Sequence, residues 1–127
     1  MSTLVVAFTI VSSNLALPQG LLEALCMIES NHEVAAMSNH DGGSKSYGVC
    51  QIKMNTAKLV GFKGTEKQLM EPTVNIYYAG KYLQKQINRY KDLDKAVSAY
   101  NAGSYRTFNR LYVNKVMKQW RSNHVPR

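Results

Sequence analysis

The sequence lacks an apolar run long enough to cross a bilayer, which takes about 20 consecutive apolar residues in a helix. Its longest apolar run, Leu4 to Val11, is less than half that length, so we expect no stable membrane insertion. The run and the small residues up to Ala16 resemble a secretion signal, although no Lys or Arg precedes it. Residues 1–17 are therefore predicted to be a signal peptide or a disordered N-terminus. A helix or strand of the mature chain is the alternative.

Cysteine is scarce, with only Cys26 and Cys50 in the chain and no Cys-x-x-Cys pair. No zinc-binding spacing joins them to His32, His40 or His124. We therefore predict no metal site. Two cysteines can form one disulfide in an oxidising compartment or remain two small buried apolar side chains, and both alternatives stay open.

Acidic residues are few, 8 Asp and Glu against 16 Lys and Arg, which gives a net charge of +8. This excess favours an anionic partner such as nucleic acid, anionic lipid or a cell-wall polymer, and a solvated basic surface explains it equally well. The basic residues are mostly single, from Lys45 to Arg127, and no nucleic-acid-binding motif is present. We therefore predict no nucleic-acid partner.

The length of 127 residues suits one domain with its own core. We assign this domain to residues 18–122, with 123–127 as a tail. Turn-forming residues over 31–48 predict a long loop or a small irregular hairpin around Asp41-Gly42. The remaining patterns predict a mainly α fold. We expect five helices. The first starts at Pro18, and the second is short and capped by Asn55 or Thr56. The other three run from Pro72 to Tyr90, from a cap at Asp94 to Gly103, and from Asn109 to Ser122.

Glu29 lies near the end of the first of these helices, beside the apolar stripe of Leu21, Leu25 and Ile28. Desolvation there would raise the pKa of its carboxyl group. A carboxylic acid that titrates near neutral pH can protonate the leaving oxygen of a glycosidic bond. Position alone, however, favours an ordinary surface glutamate at a helix end.

Four motifs that follow one another along the chain favour a catalytic role for Glu29 instead. They are Glu29-Ser30-Asn31 with Ser38 nine residues beyond Glu29, Ser46-Tyr47-Gly48-Val49-Cys50-Gln51-Ile52, Ala99-Tyr100-Asn101-Ala102-Gly103, and Tyr112-Val113-Asn114-Lys115-Val116. Together they resemble the family-1 lytic transglycosylases, lysozyme-like catalytic domains that act on bacterial peptidoglycan. Each motif alone is weak, but their order and spacing from Leu17 to Trp120 are specific.

The resemblance implies an α+β lysozyme-like fold and assigns roles to five residues. Glu29 would be the acid/base, Gln51 would lie in the substrate groove, and Tyr100 and Asn101 would line the site. Ser38 would contact the reacting sugar. Each residue has a structural alternative: Gln51 can satisfy loop backbone groups, and Tyr100 can belong to the core.

Three further residues can be placed relative to these. We interpret Tyr112 as a packing residue. Cys26 precedes Glu29 by three residues and Cys50 directly precedes Gln51. If both flank one groove, a disulfide would tie the catalytic helix to the loop, and two free buried thiols are the alternative.

Hydrolytic glycosidases use a second carboxylate, for which the candidates are Glu33 and Asp41. Neither matches a position of the family. The resemblance implies instead that the 6-hydroxyl of N-acetylmuramic acid attacks its own anomeric carbon, giving a 1,6-anhydromuramic end without a cofactor. An intramolecular nucleophile has a high effective concentration, which offsets the missing base.

The alternatives are a lysozyme-type hydrolase on the same scaffold and a non-catalytic peptidoglycan-binding module. In each case the expected partner is the glycan strand of peptidoglycan. The setting would be periplasmic, secreted or virion-associated. A secretion apparatus, a conjugation apparatus or a phage particle would provide the context.

Overall fold

The computed structural model describes residues 3–39, 45–102 and 108–124, which contain seven helices and one small sheet. This architecture confirms the predicted mainly α fold with a hairpin after the second helix. Along the chain the elements are α1 (Thr3–Asn14), α2 (Leu21–Ser30), β1 (Met37–Asn39), β2 (Lys45–Tyr47), β3 (Ile52–Lys53), α3 (Met54–Leu59), α4 (Glu66–Met70), α5 (Pro72–Tyr90), α6 (Leu93–Ala102) and α7 (Arg110–His124).

Helix α5 lies at the centre of the molecule and has the bounds predicted from the sequence. Pro72 occupies its first turn, the Glu71 side chain accepts from the Val74 N–H, and Lys91 ends it in the left-handed conformation. Its buried face includes Gly80, where a Cβ would lie 2.8 Å from Val11 Cγ1 and 3.0 Å from Leu15 Cδ1. This close approach brings α1 against α5.

Helix α1 belongs to the core, since Ala7, Phe8 and Val11 are buried in it. A helix here is one of the alternatives that the sequence left open for residues 1–17, and removal of a signal peptide stays a prediction. A helix that is apolar nearly all round shows no periodic pattern and gains its stability from burial, so the sequence could not decide between these alternatives. Of the helices described, none combines the length and the apolar character that a membrane span needs.

Helix α2 begins at Leu21 rather than at Pro18, whose carbonyl accepts the Leu21 N–H in the preceding turn. Asn31 ends it in the left-handed conformation at φ 54°, and its N–H donates to the Met27 carbonyl. Fully buried side chains, among them Leu22 and Leu25, face the core. This anchoring fixes the end of the helix, where Glu29 lies.

The sheet is antiparallel in the order β1-β2-β3, with Met37 opposite Tyr47 and Ser46 opposite Lys53. The β1-β2 pair is the hairpin expected after α2. Its turn, with Asp41-Gly42, lies outside the described residues. Buried Ser46 and Tyr47 bring the chain directly into the segment that holds Gln51.

Two predicted helix caps are wrong. Lys53 precedes α3, so Asn55 and Thr56 lie inside that helix. At α6 the side chain of Asp92, not Asp94, accepts from the Lys95 N–H, because a capping oxygen must reach an N–H two or three residues ahead. Helix α7 continues to His124, so the expected tail at 123–127 starts within it. Gly103, the expected end of α6, lies outside the described residues.

Candidate active site

The carboxyl group of Glu29 lies where three helix ends meet. Glu29 lies in the last turn of α2 and is half-buried, Asn101 comes from the end of α6, and Tyr112 comes from the start of α7. The Tyr112 hydroxyl donates to Glu29 Oε2 at 2.5 Å, and the Asn101 side chain also hydrogen-bonds the carboxylate. The arrangement presents one oriented, partly desolvated carboxyl group.

Burial raises the pKa of Glu29 from 4.5 to about 7, and the hydrogen bonds from Tyr112 and Asn101 oppose this rise only in part. Loss of water disfavours the charged form, whereas donors to the carboxylate favour it. Near neutral pH the group therefore exists in both forms. A carboxyl group of this kind can give a proton and take one back in the same reaction.

Tyr112, interpreted from the sequence as a packing residue, is buried as expected and also bonds Glu29 through its hydroxyl. Burial and the neighbouring carboxylate raise the pKa of Tyr112 well above its usual value, so the hydroxyl stays protonated as a donor. Asn109 caps α7 by accepting the Tyr112 N–H, and it also donates to Asn101 Oδ1 at 3.2 Å. Asn109 thus links the two residues that bond Glu29.

Tyr100 lies in the core behind the site. Its ring packs against Tyr82 at 5.3 Å, and its hydroxyl donates to the Cys50 carbonyl at 3.0 Å. Burial, followed by the Glu29 carboxylate, raises the pKa of Tyr100 well above its usual value. Both alternatives from the sequence therefore describe part of its surroundings: it is a core residue, and it lies close to Glu29.

Residues 47–51 form a segment that we call the Gln51 loop. Two of its residues have positive φ, Gly48 at 77° and Gln51 at 49°. The half-buried side chain of Gln51 donates to the Gly48 carbonyl at 3.0 Å, which is the loop-stabilising contact considered from the sequence. A non-glycine residue with positive φ persists only where its surroundings hold it.

Cys50 is the point at which the Gln51 loop is held most firmly. Its sulfur is bonded to Cys26 of α2, its N–H donates to Asn75 of α5 at 2.8 Å, and its carbonyl accepts from Tyr100 of α6. One residue earlier, Ser30 Oγ donates to the Val49 carbonyl at 2.5 Å. The loop is therefore tied to three helices, one of which carries Glu29.

Asn75 is a residue of this site that the sequence analysis missed. It is fully buried, and its Nδ2 donates to the carbonyls of Tyr47 and Leu69, each at 2.8 Å. A signal was present, because Asn75 directly precedes Ile76 on the apolar face of α5, and a polar residue there must find partners. The sequence does not show which partners these are, because Cys50 and Tyr47 lie 25 and 28 residues away and meet Asn75 only in the folded chain.

The other candidates are less informative. Ser38 pairs with Ser46 in the sheet, and its side chain lies outside the described part of the chain. Glu33 is exposed, and Asp41 also lies outside that part. Within residues 3–39, 45–102 and 108–124, no group of three or more His, Cys, Asp or Glu side chains is arranged to hold a metal ion.

Comparison with known proteins gives two findings. The family model described as the transglycosylase SLT domain matches residues 7–123. Protein IpgF of Shigella flexneri is 32% identical over 90 residues, which cover 69% of this chain and 59% of that protein. Protein IpgF of Shigella sonnei matches with the same identity and coverage. The chain therefore spans about three-fifths of the length of these curated relatives.

Proposed function

This chain belongs to the transglycosylase SLT domain family, and on that premise we propose that it cleaves bacterial peptidoglycan with Glu29 as its single acid/base. The bond would be the one from N-acetylmuramic acid to N-acetylglucosamine. One observation carries the proposal: a half-buried carboxyl group with a pKa of about 7 receives hydrogen bonds from Tyr112 and Asn101. The site of action would be the cell wall, in a periplasmic, secreted or virion-associated setting.

In the first half of the reaction, protonated Glu29 acts as the acid. It gives its proton to the glycosidic oxygen as the bond from that oxygen to the anomeric carbon breaks. The anomeric carbon takes on oxocarbenium character, which the new carboxylate stabilises. Tyr112 and Asn101 stabilise this carboxylate because both donate hydrogen bonds to it.

In the second half, the Glu29 carboxylate acts as the base. It accepts the proton of the muramic 6-hydroxyl while that oxygen bonds to the anomeric carbon, which restores the acid and gives a 1,6-anhydromuramic end. The nucleophile belongs to the substrate, so the reaction needs neither a water molecule nor a second carboxylate. Gln51, Asn101 and Ser38 are proposed to contact the glycan strand, and the net charge of +8 favours an anionic wall.

The test is mass spectrometry of the soluble fragments released from purified peptidoglycan by the wild type and by Glu29→Gln. We expect anhydromuropeptides from the wild type and none from the variant. Reducing-end fragments that disappear in the variant would replace the transglycosylase with a hydrolase. A wild-type protein that binds the wall and releases nothing would refute the enzymatic proposal and leave a binding module. A secretion or conjugation apparatus and a phage particle remain the proposed settings.

A further inference from the structure

We propose that Asn75 is a positioning residue that sets the conformation of the Gln51 loop. The inference rests on the proposed function, because it matters to catalysis only if Gln51 contacts the substrate. Asn75 lies on α5, whereas Glu29 lies on α2. The hydrogen bonds of Asn75 go to Tyr47, Cys50 and Leu69, and none goes to Glu29, Asn101 or Tyr112. Any effect of Asn75 on the reaction therefore passes through the Gln51 loop.

The carboxamide of Asn75 joins the two ends of the loop. Its Oδ1 accepts the Cys50 N–H, and its Nδ2 donates to the Tyr47 carbonyl, with a second bond to the Leu69 carbonyl. Only an amide offers an acceptor and two donors on one rigid plane. Aspartate lacks the donors when it is ionised. Glutamine is one methylene longer and would have to displace the loop.

Gly48 lies directly against the same carboxamide. A Cβ on Gly48 would lie 2.4 Å from Asn75 Nδ2 and 2.6 Å from its Cγ, so the glycine lets the loop backbone pass over the side chain. The chain then reaches Gln51 with φ at 49°. Without Asn75, the Tyr47 carbonyl and the Cys50 N–H both lose their partner, and this left-handed conformation loses support.

The other contacts of the loop do not replace Asn75. The disulfide with Cys26 and the hydroxyl of Tyr100 both act at Cys50, and Ser30 acts at Val49. None of them reaches the Tyr47 carbonyl at the start of the loop. Within the loop, Gly48 also bonds the Ala36 carbonyl, and Gln51 bonds the Gly48 carbonyl through its N–H and its side chain. Removal of Asn75 therefore leaves the loop attached but weakens the support of its Tyr47 and Cys50 backbone groups, and with it the position of Gln51.

The main experiment is a double-mutant cycle of Asn75→Ala with Gln51→Ala, read as kcat and KM on soluble glycan strands. Displacement of a substrate contact by about 1 Å costs up to about 100-fold in rate. We therefore expect Asn75→Ala to lower kcat by about 10- to 100-fold. In the Gln51→Ala background, Asn75→Ala should lower kcat only slightly, because the effects of substitutions at residues that act as one unit are not additive.

Gly80→Ala is the matched control. It lies on the same helix and crowds Val11, Leu15 and, at 3.3 Å, Leu22 of α2 instead of the Gln51 loop, so it lowers stability without contacting a residue of the site. Assays are run well below the melting midpoints of both variants. Asn75→Asp, which keeps the acceptor for the Cys50 N–H, serves if Asn75→Ala does not fold. A loss of kcat no larger than that of Gly80→Ala, or one that persists in full without Gln51, would overturn the proposal.

Amide hydrogen exchange separates this inference from the proposed function. If the wild type cleaves no peptidoglycan, the proposed function fails, and the loop can still be examined. Asn75→Ala should then speed exchange at Cys50, whose N–H loses its acceptor, by more than its loss of global stability explains, whereas Gly80→Ala should speed it only by that loss. Unchanged exchange at Cys50 would overturn the positioning role whatever the enzymatic result.

Discussion

The folded surroundings of Glu29 disfavour the charged form of its carboxyl group. Its pKa of about 7 lies above the unfolded value of 4.5, so between these pH values the folded chain binds more protons than the unfolded chain. Stability linked to this group is therefore highest at or below pH 4.5 and falls as the pH rises through 7. Above pH 4.5, burial of the Glu29 carboxyl group therefore lowers the free energy of unfolding.

We therefore expect Glu29→Gln to be more stable than the wild type at pH 8, by about 2–3 kcal/mol for a pKa shift of this size. Glutamine has similar shape and needs no ionisation. At pH 4 the two proteins should unfold at the same denaturant concentration, because Glu29 is protonated in both folded and unfolded chains. Urea unfolding at pH 4, 6 and 8 measures the difference. Equal stability at all three would show that Glu29 is well solvated.

Tyr112 should control the pH at which activity declines. Its hydrogen bond lowers the pKa of Glu29, so Tyr112→Phe should raise that pKa and move the alkaline limb of the kcat profile to higher pH. Tyr77→Phe, at an exposed tyrosine on α5, is the control and should leave the limb in place. A limb that stays fixed or moves to lower pH in Tyr112→Phe contradicts the assigned contact.

The sequence predicted candidate residues better than their contacts. Glu29 was found because a helix pattern and a four-motif resemblance met at one residue. The bond from Tyr112 to Glu29 and the role of Asn75 were missed because their partners lie 83 and 25–28 residues away, a distance that no local pattern spans. Tyr112 belongs to the fourth motif of the sequence, but the spacing of that motif could not show that the Tyr112 hydroxyl faces Glu29.

At the scale of elements, the sequence was most informative where local signals were strong. Helix α5 has both a proline start and an apolar stripe, and its bounds were predicted in full. The hairpin after α2 was expected from turn residues. Two acidic residues lie at the start of α6, Asp92 just before it and Asp94 in its first turn, and only the backbone geometry decides which of them is the cap.

The disulfide between α2 and the Gln51 loop carries a prediction at this scale. It closes a loop with a sequence separation of 24, for which chain entropy gives about 3–4 kcal/mol of stabilisation. We expect Cys26→Ala with Cys50→Ala to lower the urea unfolding free energy by about that amount. We also expect no free thiols in the unreduced, denatured wild type. Two free thiols per chain would contradict the bond.

At the scale of the whole molecule, the helices form a scaffold on which α2, α6 and α7 present their ends to one another beside the Gln51 loop. The sequence supplied the family and the mainly α fold class. It could not supply this convergence, which depends on packing between segments far apart in the chain. Nor did it reveal that α1 completes the core through Gly80.

The attachment of Cys50 to three helices has a consequence for how the chain matures. The contacts that hold the Gln51 loop come from α5 and α6, which follow it in the chain, and from a disulfide that needs an oxidant, so we expect its conformation to be fixed late in folding. On the proposed function, we expect a chain that is incomplete or still reduced to carry the acid Glu29 without the ordered loop beside it, and so to cleave little peptidoglycan.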